Sequence, residues 1–564
     1  MGKLGERREG WLDTMSLSNG GTMMGRRAHK PKLAIMLSLL ALGMSFVCHS
    51  AVVSAQEQPL YGGTMVLATF ADPGSLNPGL TTSVPTHIVT GPIFNGLVSH
   101  DFAFGPVPDL AERWSVSPDG RVYTFHLAEH ALWHDGQPLT SADVKFTFEE
   151  VLLKYHGRTR AALEKNLEVV ETSDPHTVAF RFREPYAPFL ALIDVVNAPI
   201  LPRHVYAGDD IQKHPANSAP VGSGPFKFKE WVRGDHITLV RNDRYFKAGK
   251  PYLDRVVIRI MPDPAAAAIA FEKGEVDYFL FPPPHELARL RQLPGVVVTT
   301  RGREGFAGIV TLIPNLRRPV LSNPNVRQAM AYAIDREVML DRVYFGTGEV
   351  ATGPISRALD WAYNPEEPRY TRDVARANKL LDEAGYPRGT SGVRFPLSIV
   401  YDTAFAKLAE VLRDQFGEVG IDLQLKLMER NAWIDAVYKR WEFDLAFTHF
   451  ENGPDPDIGV KRVYVSSNVV PIPFSNAAGY QNPRVDELFA LAAKELDRAT
   501  RARAYFEIQD ILLRESPYLW LIESGHLSGV AFRAEFHGLH SWSSKSIMTY
   551  GDDAWWGKGK PREK

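Results

Sequence analysis

The stretch "YTFHLAEHALWHDG" (123–136) sets His126, His130 and His134 four residues apart and places Asp135 directly after the third. On a helix that spacing stacks three imidazoles on one face, and imidazoles with a carboxylate are the donors of zinc sites. The chemistry to weigh is therefore metal binding, with a metallohydrolase as its concrete form. The local pattern argues against it. "VYTFHL" (122–127) alternates as a strand does, with Tyr123, Phe125 and Leu127 on one side and Val122, Thr124 and His126 on the other. His126 then lies on the polar face of a strand, His130 in the connection "AEHA", and His134 opens the turn "HDGQP". Strand positions four apart are separated by about 13 Å, too far to share one ion. The expectation is three unrelated histidines and no metal site, with Gly136 supplying a positive φ and Asp135 bonding nearby backbone.

Other reactive patterns are equally thin. Ser223 in "VGSGPF" has glycines beside it, but not at the G-x-S-x-G spacing of a nucleophile elbow. No G-x-x-x-x-G-K-[ST] loop is present to hold a nucleotide phosphate. The sequence is expected not to be an enzyme and to need no cofactor.

The elements that must position any site alternate between helix and strand along the chain, which predicts an α/β (mixed α+β) architecture. The 564 residues are too many for one core, so two or three domains are expected. "LTSADVKFTFEEVLLKY" reads as a helix with Thr140 as N-cap and Asp143 in its first turn. "HITLVRN" and "RVVIRIMP" read as strands. "NPNVRQAMAYAIDREVMLDRVYFG" (323–346) reads as one helix, capped by Asn323, opened by Pro324 and ended by Gly346. "TRDVARANKLLDEAGYP" is a helix stopped by Gly385 and Pro387. "AKLAEVLRDQFGEVGIDLQLKLM" is a helix feeding a strand, and "FDLAFTHF" is a short buried strand. Residues 485–515 make a helical pair, and "YLWLIE" (518–523) returns as a strand.

The start of the chain has a different character. Residues 33–48, "LAIMLSLLALGMSFVC", are apolar and uncharged, and follow Arg26, Arg27, Lys30 and Lys32. Val53 and Ala55 suit a small-residue cleavage site before Gln56, so residues 1–55 read as a cleavable signal peptide, with translation starting at Met1 or at Met23 or Met24. The run is short for a membrane span. Cys48, the only cysteine, lies within it, and "SFV" before it does not suit a lipid-modified cysteine. The exported chain then carries no cysteine and must be held by its cores without disulfides. The leader has seven basic and three acidic residues, so the remainder has 57 basic against 63 acidic, a net of −6. Such a balance gives no pull toward nucleic acid or an anionic membrane.

The same histidine segment carries a family resemblance. "LAERWSVSPDGRVYTFHLAEHALWHDGQPLTSADVKFTFEEVL" (110–152) resembles the signature region of the extracellular solute-binding proteins of family 5, the peptide- and nickel-type substrate-binding subunits of ABC importers. "YGGTMVLATFADPGSLNP" (61–78) is similar to the family's mature start and "IFNGLVSHD" (93–101) to its next element. The match continues through 221–279, 323–346 and 482–523, so it spans nearly the whole exported chain in order. The resemblance implies a two-lobed periplasmic-binding-protein fold with a hinged ligand cleft. Residues 56–95, 215–305 and 525–564 would form the first lobe, 96–214 an additional subdomain on it, and 306–524 the second lobe. The "WHDG" turn would lie in the subdomain, away from the cleft. A cleft between hinged lobes buries most of a ligand and lets both sides contribute contacts.

In function, the resemblance implies a monomeric periplasmic protein that captures a peptide or related solute. It would deliver that solute to permease subunits in the inner membrane, with the ATPase subunits on separate chains. The alternative is a non-peptide solute, an oligosaccharide or an opine. The richest candidate contact region is "FDLAFTHFENGPDPDIG" (443–459), a strand ending in a Gly/Pro/Asp loop. Peptide-binding members have a tryptophan and then an aspartate here that pairs with the peptide amine. In this chain Phe450 takes the tryptophan position and the aspartate position falls on Asn452 or Gly453, with Glu451 as substitute after a shift. Asp455 matches a second aspartate that is followed by proline. A buried ammonium needs a charged partner, so the missing acid weakens the peptide assignment unless Glu451 serves. Further candidates are Trp433 for stacking on a ligand face, Arg440 for an anionic group, Thr82 with Thr81 and Ser83 near the mature start, and Phe306 at the inter-lobe crossover.

Overall fold

The computed structural model describes residues 59–101, 104–299, 308–366, 370–523, 529–539 and 553–557. The leader 1–55 with Cys48, and Phe306, lie outside the described residues.

Two large mixed sheets organise the chain. The first has seven strands in the spatial order 296–299, 530–533, 278–280, 64–69, 255–260, 236–241, 226–232. Thr64–Thr69 pairs in parallel with both Arg255–Ile260 and Tyr278–Leu280, and the other neighbours run antiparallel. The second has six strands in the order 349–350, 519–523, 308–314, 445–451, 395–401, 421–427. Its central strand, Gly308–Pro314, is buried along its whole length, as a strand covered on both faces should be. A four-stranded antiparallel sheet, 111–116, 122–127, 177–182 and 167–174, makes a third layer system between residues 111 and 182.

The chain passes from the first large sheet to the second between 299 and 308 and returns between 523 and 530. Within each sheet the strands flanking these crossings are neighbours: 296–299 lies antiparallel to 530–533, and 308–314 antiparallel to 519–523. The strands at which the chain leaves and re-enters each sheet are therefore neighbours. Away from them, the smaller sheet's region meets the second sheet's region directly. Ala187 N donates to Ala493 O (2.9 Å), Tyr186 Oη to Asp457 (3.2 Å), and Lys494 pairs with Glu184 (2.8 Å).

The local signals read from sequence act as expected in several places. Asp143 accepts from Thr140 N (2.8 Å) at the start of the helical run from Ser141, and the residues 147–152 of that run form a π-helical turn. Gly136 has φ +94° and Asp135 accepts from Gln137 N (3.1 Å). His126 sits beside Thr177, His130 meets Phe246 O (3.1 Å), and His134 bridges Gly222 N and Gly224 O (3.2 and 3.0 Å). The three rings thus serve three separate places.

One expectation is corrected. Residues 323–346 are not one helix but two, Pro324–Ala333 and Arg336–Tyr344. The bond a continuous helix would make from Asp335 N to Ala331 O is replaced at both ends. Asp335 N donates to Gln415 Oε1 (3.0 Å), while Ala331 O accepts from the Arg336 guanidinium (3.0 Å). The Asp335 carboxylate then caps the second helix at Val338 N (3.0 Å). Among the described residues no helix is long and apolar enough to cross a membrane.

Candidate functional site

Between the two large sheets lies a cavity of about 360 Å³ lined from both sides, at the lower end of the ~300–1,000 Å³ of ligand pockets. From the first side come Thr82, Val84 and His87, at and in the short helix Val84–Thr90, together with Arg158 and Val196. His87 Nε2 bonds Thr81 O (3.0 Å), which ties the helix to the Thr81–Ser83 turn. Burial, and secondarily the Arg158 cation, pull the His87 pKa down to about 4, so the ring is neutral.

From the second side the strand Leu445–Glu451 supplies His449 and Glu451. Alternation along this strand decides which residues do so. Phe450, between them, turns to the other face, 5% exposed, with its ring edge-on to Tyr518 (6.0 Å). The neighbouring strand begins with Gly308, opposite Glu451. A Cβ there would stand 2.1 Å from the His449 ring, so a glycine makes room for it. Asp402, ending the strand Phe395–Tyr401, also lines the cavity, as do Arg430, Arg462 and the rings of Phe405 and Phe474.

The electrostatics follow from these placements. Arg430 pairs with Asp402 at 2.5 Å. Arg158 reaches across the cavity to Glu451 at 3.4 Å and holds Asn197 Oδ1 at 2.9 Å. Arg462 is partly buried, and desolvation followed by the Arg158 charge lowers its pKa, though a guanidinium stays protonated. Facing charges of both signs inside a small cleft can orient a ligand bearing both an acid and a base, and the four rings offer flat contact.

Of the residues singled out from sequence, the cavity brings together Thr82 and Glu451. The others have different surroundings. Asn452 is buried and its Oδ1 accepts from Ser356 N (2.5 Å). Asp455 is buried in a bidentate pair with Arg501 (2.8 and 2.9 Å) and caps the next helix at Asp457 N. Trp433 is 0% exposed, edge-on to Tyr438, with the Arg430 guanidinium 4.7 Å above its ring. Arg440 is half exposed and pairs with Glu442 (2.8 Å). None of these four, nor Phe450, is among the described lining residues. The "WHDG" turn is also outside it.

The polar lining residues missed by reading sequence are Arg158, Arg430, Arg462, Asp402, His87 and His449. A polar residue ending an apolar strand, "LSIVYD", was a usable signal for Asp402. Strict alternation in "LAFTHFE" pairs His449 with Glu451 on one face and was a signal for His449. The three arginines carry no local mark.

A ligand-sized cleft between two large mixed sheets is the frame of a solute-binding protein. The family model for bacterial extracellular solute-binding proteins, family 5 (middle region), matches residues 105–469, and the chain belongs to that family. A putative ABC transporter peptide-binding protein of Brucella ovis is 29% identical, covering 83% of this chain and 89% of that one. Among solved structures, the Helicobacter pylori periplasmic binding protein DppA in complex with the peptide STSA superposes with a TM-score of 0.75. It is 26% identical and covers 88% of this chain and 99% of its own. AgaA of A. tumefaciens R10, in complex with agropinic acid, gives a TM-score of 0.72 at 26% identity, covering 88% and 100%. The chain works as the substrate-binding component of an ABC importer.

Proposed function

We propose that this protein captures short peptides in the periplasm, in the cleft that Thr82 and Glu451 face from opposite sides. It hands them to a permease in the inner membrane, the ATPase subunits being separate chains. The observation that carries the reading is Glu451, an acid at the end of a cleft-facing strand, where a ligand ammonium needs a charged partner. The peptide-bound DppA neighbour supports it. The lobes would comprise 56–95, 215–305 and 525–564 on one side and 306–524 on the other, with 96–214 as the added subdomain, and the chain would act as a monomer without catalysis. The leader would be cleaved before Gln56.

An opine-like solute is the second reading, supported by the three cleft arginines and by the agropinic-acid-bound AgaA neighbour. Mass spectrometry of solutes released from the purified exported protein tests both. A mixed set of short peptides is the expected result. A single non-peptide acid would replace peptide with the second reading, and neutral sugars would overturn both.

A further inference from the structure

The charges lining the cleft do not cancel. Among the described lining residues there are three guanidinium groups, Arg158, Arg430 and Arg462, against two carboxylates, Asp402 and Glu451. Two cations are matched, Arg430 by Asp402 at 2.5 Å and Arg158 by Glu451 at 3.4 Å. Arg462 has no carboxylate within ion-pair distance among the described residues, and its Nε is enclosed with no hydrogen-bond partner. It sits on the turn Lys461–Val463, whose Arg462 carbonyl is held by Asn468 (2.6 Å), so its backbone is fixed beside the cavity. Arg158, from the opposite side, acts on it as a like charge, and Glu451 as an opposite one. Two guanidinium groups turned toward one small cavity repel. An anionic oxygen pair between them relieves that repulsion, because a guanidinium presents a donor fork matched to a carboxylate.

We propose that Arg462, with Arg158 opposite, is a carboxylate receptor, and that the protein's substrates are small solutes carrying a free acid group. The proposal rests on the reading of the cleft as the ligand site. It deepens that reading: the acid group is required, while Glu451 faces the cationic end of solutes that have one. Short peptides with a free C-terminus and amino-acid conjugates of the opine kind both qualify, and neutral oligosaccharides do not.

The test uses titration calorimetry on the purified exported protein with trialanine, trialanine amide, citrate and maltotriose, in the parent, Arg462→Met, Arg462→Lys and Thr82→Trp. The expected result is that trialanine or citrate binds, the amide binds about 10- to 100-fold more weakly than trialanine, and maltotriose does not bind. Binding by citrate alone would identify a non-peptide acid as the source of the carboxylate, and binding by trialanine a peptide. Arg462→Met should lose the acid by a similar factor and Arg462→Lys should fall between, both keeping the parent's melting temperature. Equal affinity for acid and amide, an unchanged Arg462→Met, binding of maltotriose alone, or no binding of either acid at millimolar concentration overturns the inference. Thr82→Trp separates the two failures, since it fills the cavity. Ligand binding that survives in it means the cleft itself is not the site. Binding that is lost in it, but without acid preference, leaves the cleft reading standing and removes the receptor.

Discussion

The Arg158 guanidinium and the Glu451 carboxylate face each other at 3.4 Å from opposite sides of the cleft, each about one quarter exposed. That separation makes a loose ion pair, and one a ligand can divide: an incoming ammonium competes for Glu451 while an incoming carboxylate competes for Arg158.

Glu451→Gln keeps the shape and removes the charge. Binding of an ammonium-bearing peptide should weaken by about tenfold or more, a charge-assisted hydrogen bond becoming a neutral one. Stability should change by no more than about 1 kcal/mol, as for partly exposed ion pairs. Calorimetry and thermal melting check the two halves separately, and unchanged peptide affinity would remove Glu451 from the site.

Asp455 behaves oppositely. Its carboxylate is buried and held in a bidentate pair by Arg501, with Tyr505 Oη at 3.5 Å. Asp455→Asn leaves a buried guanidinium without its counter-charge and should cost about 3–5 kcal/mol. The double change Asp455→Asn with Arg501→Met should recover part of that loss. Denaturant unfolding measures both, and an equal loss in the single and double variants would contradict the pairing.

Trp433→Ala empties a fully enclosed indole position and should cost about 3–5 kcal/mol of stability. The protein that remains folded should keep its ligand affinity, with Arg430 still paired to Asp402. A large affinity loss with normal stability would instead make the indole a ligand contact.

The neutral histidines set an acid limit. His87 and His134 both have their pKa lowered from 6.5 to about 4, in each case chiefly by burial. His134 also uses its neutral form, accepting from Gly222 N while Nε2–H donates to Gly224 O. The unfolded chain takes up these protons near pH 6.5 and the folded one only near pH 4. Stability is therefore complete above pH 6.5 and falls as pH drops through that window, by up to about 1.4 kcal/mol per pH unit for each group. Melting temperatures from pH 7 to pH 5 should show the slope, and His134→Gln should flatten it. An unaltered slope in that variant would mean His134 is not neutral.

Much of the fold was legible because its signals are local. The Thr140–Asp143 cap, the Gly136 turn, the strand 122–127 and the helical pair before 519–523 each depend on neighbours within a few residues. The break at Asp335 was not legible, since its cause is Gln415, eighty residues away. The same distinction holds in the cleft. A motif comparison drew attention to the strand end at 450–455, where Glu451 lines the cavity and Phe450 and Asp455 do not.

The order of elements, the turn and cap chemistry, and the family were determined by the sequence itself, because short-range geometry and the ordered run of motifs suffice for them. Which side chains meet in the cleft was decided only by the tertiary structure. Strand alternation turns Phe450 into the core and Glu451 into the cavity, and Arg501, distant in the chain, withdraws Asp455 into a buried pair. Arg158, Arg430 and Arg462 come from separate segments, and a charge acts through space across a cavity whatever its distance along the chain.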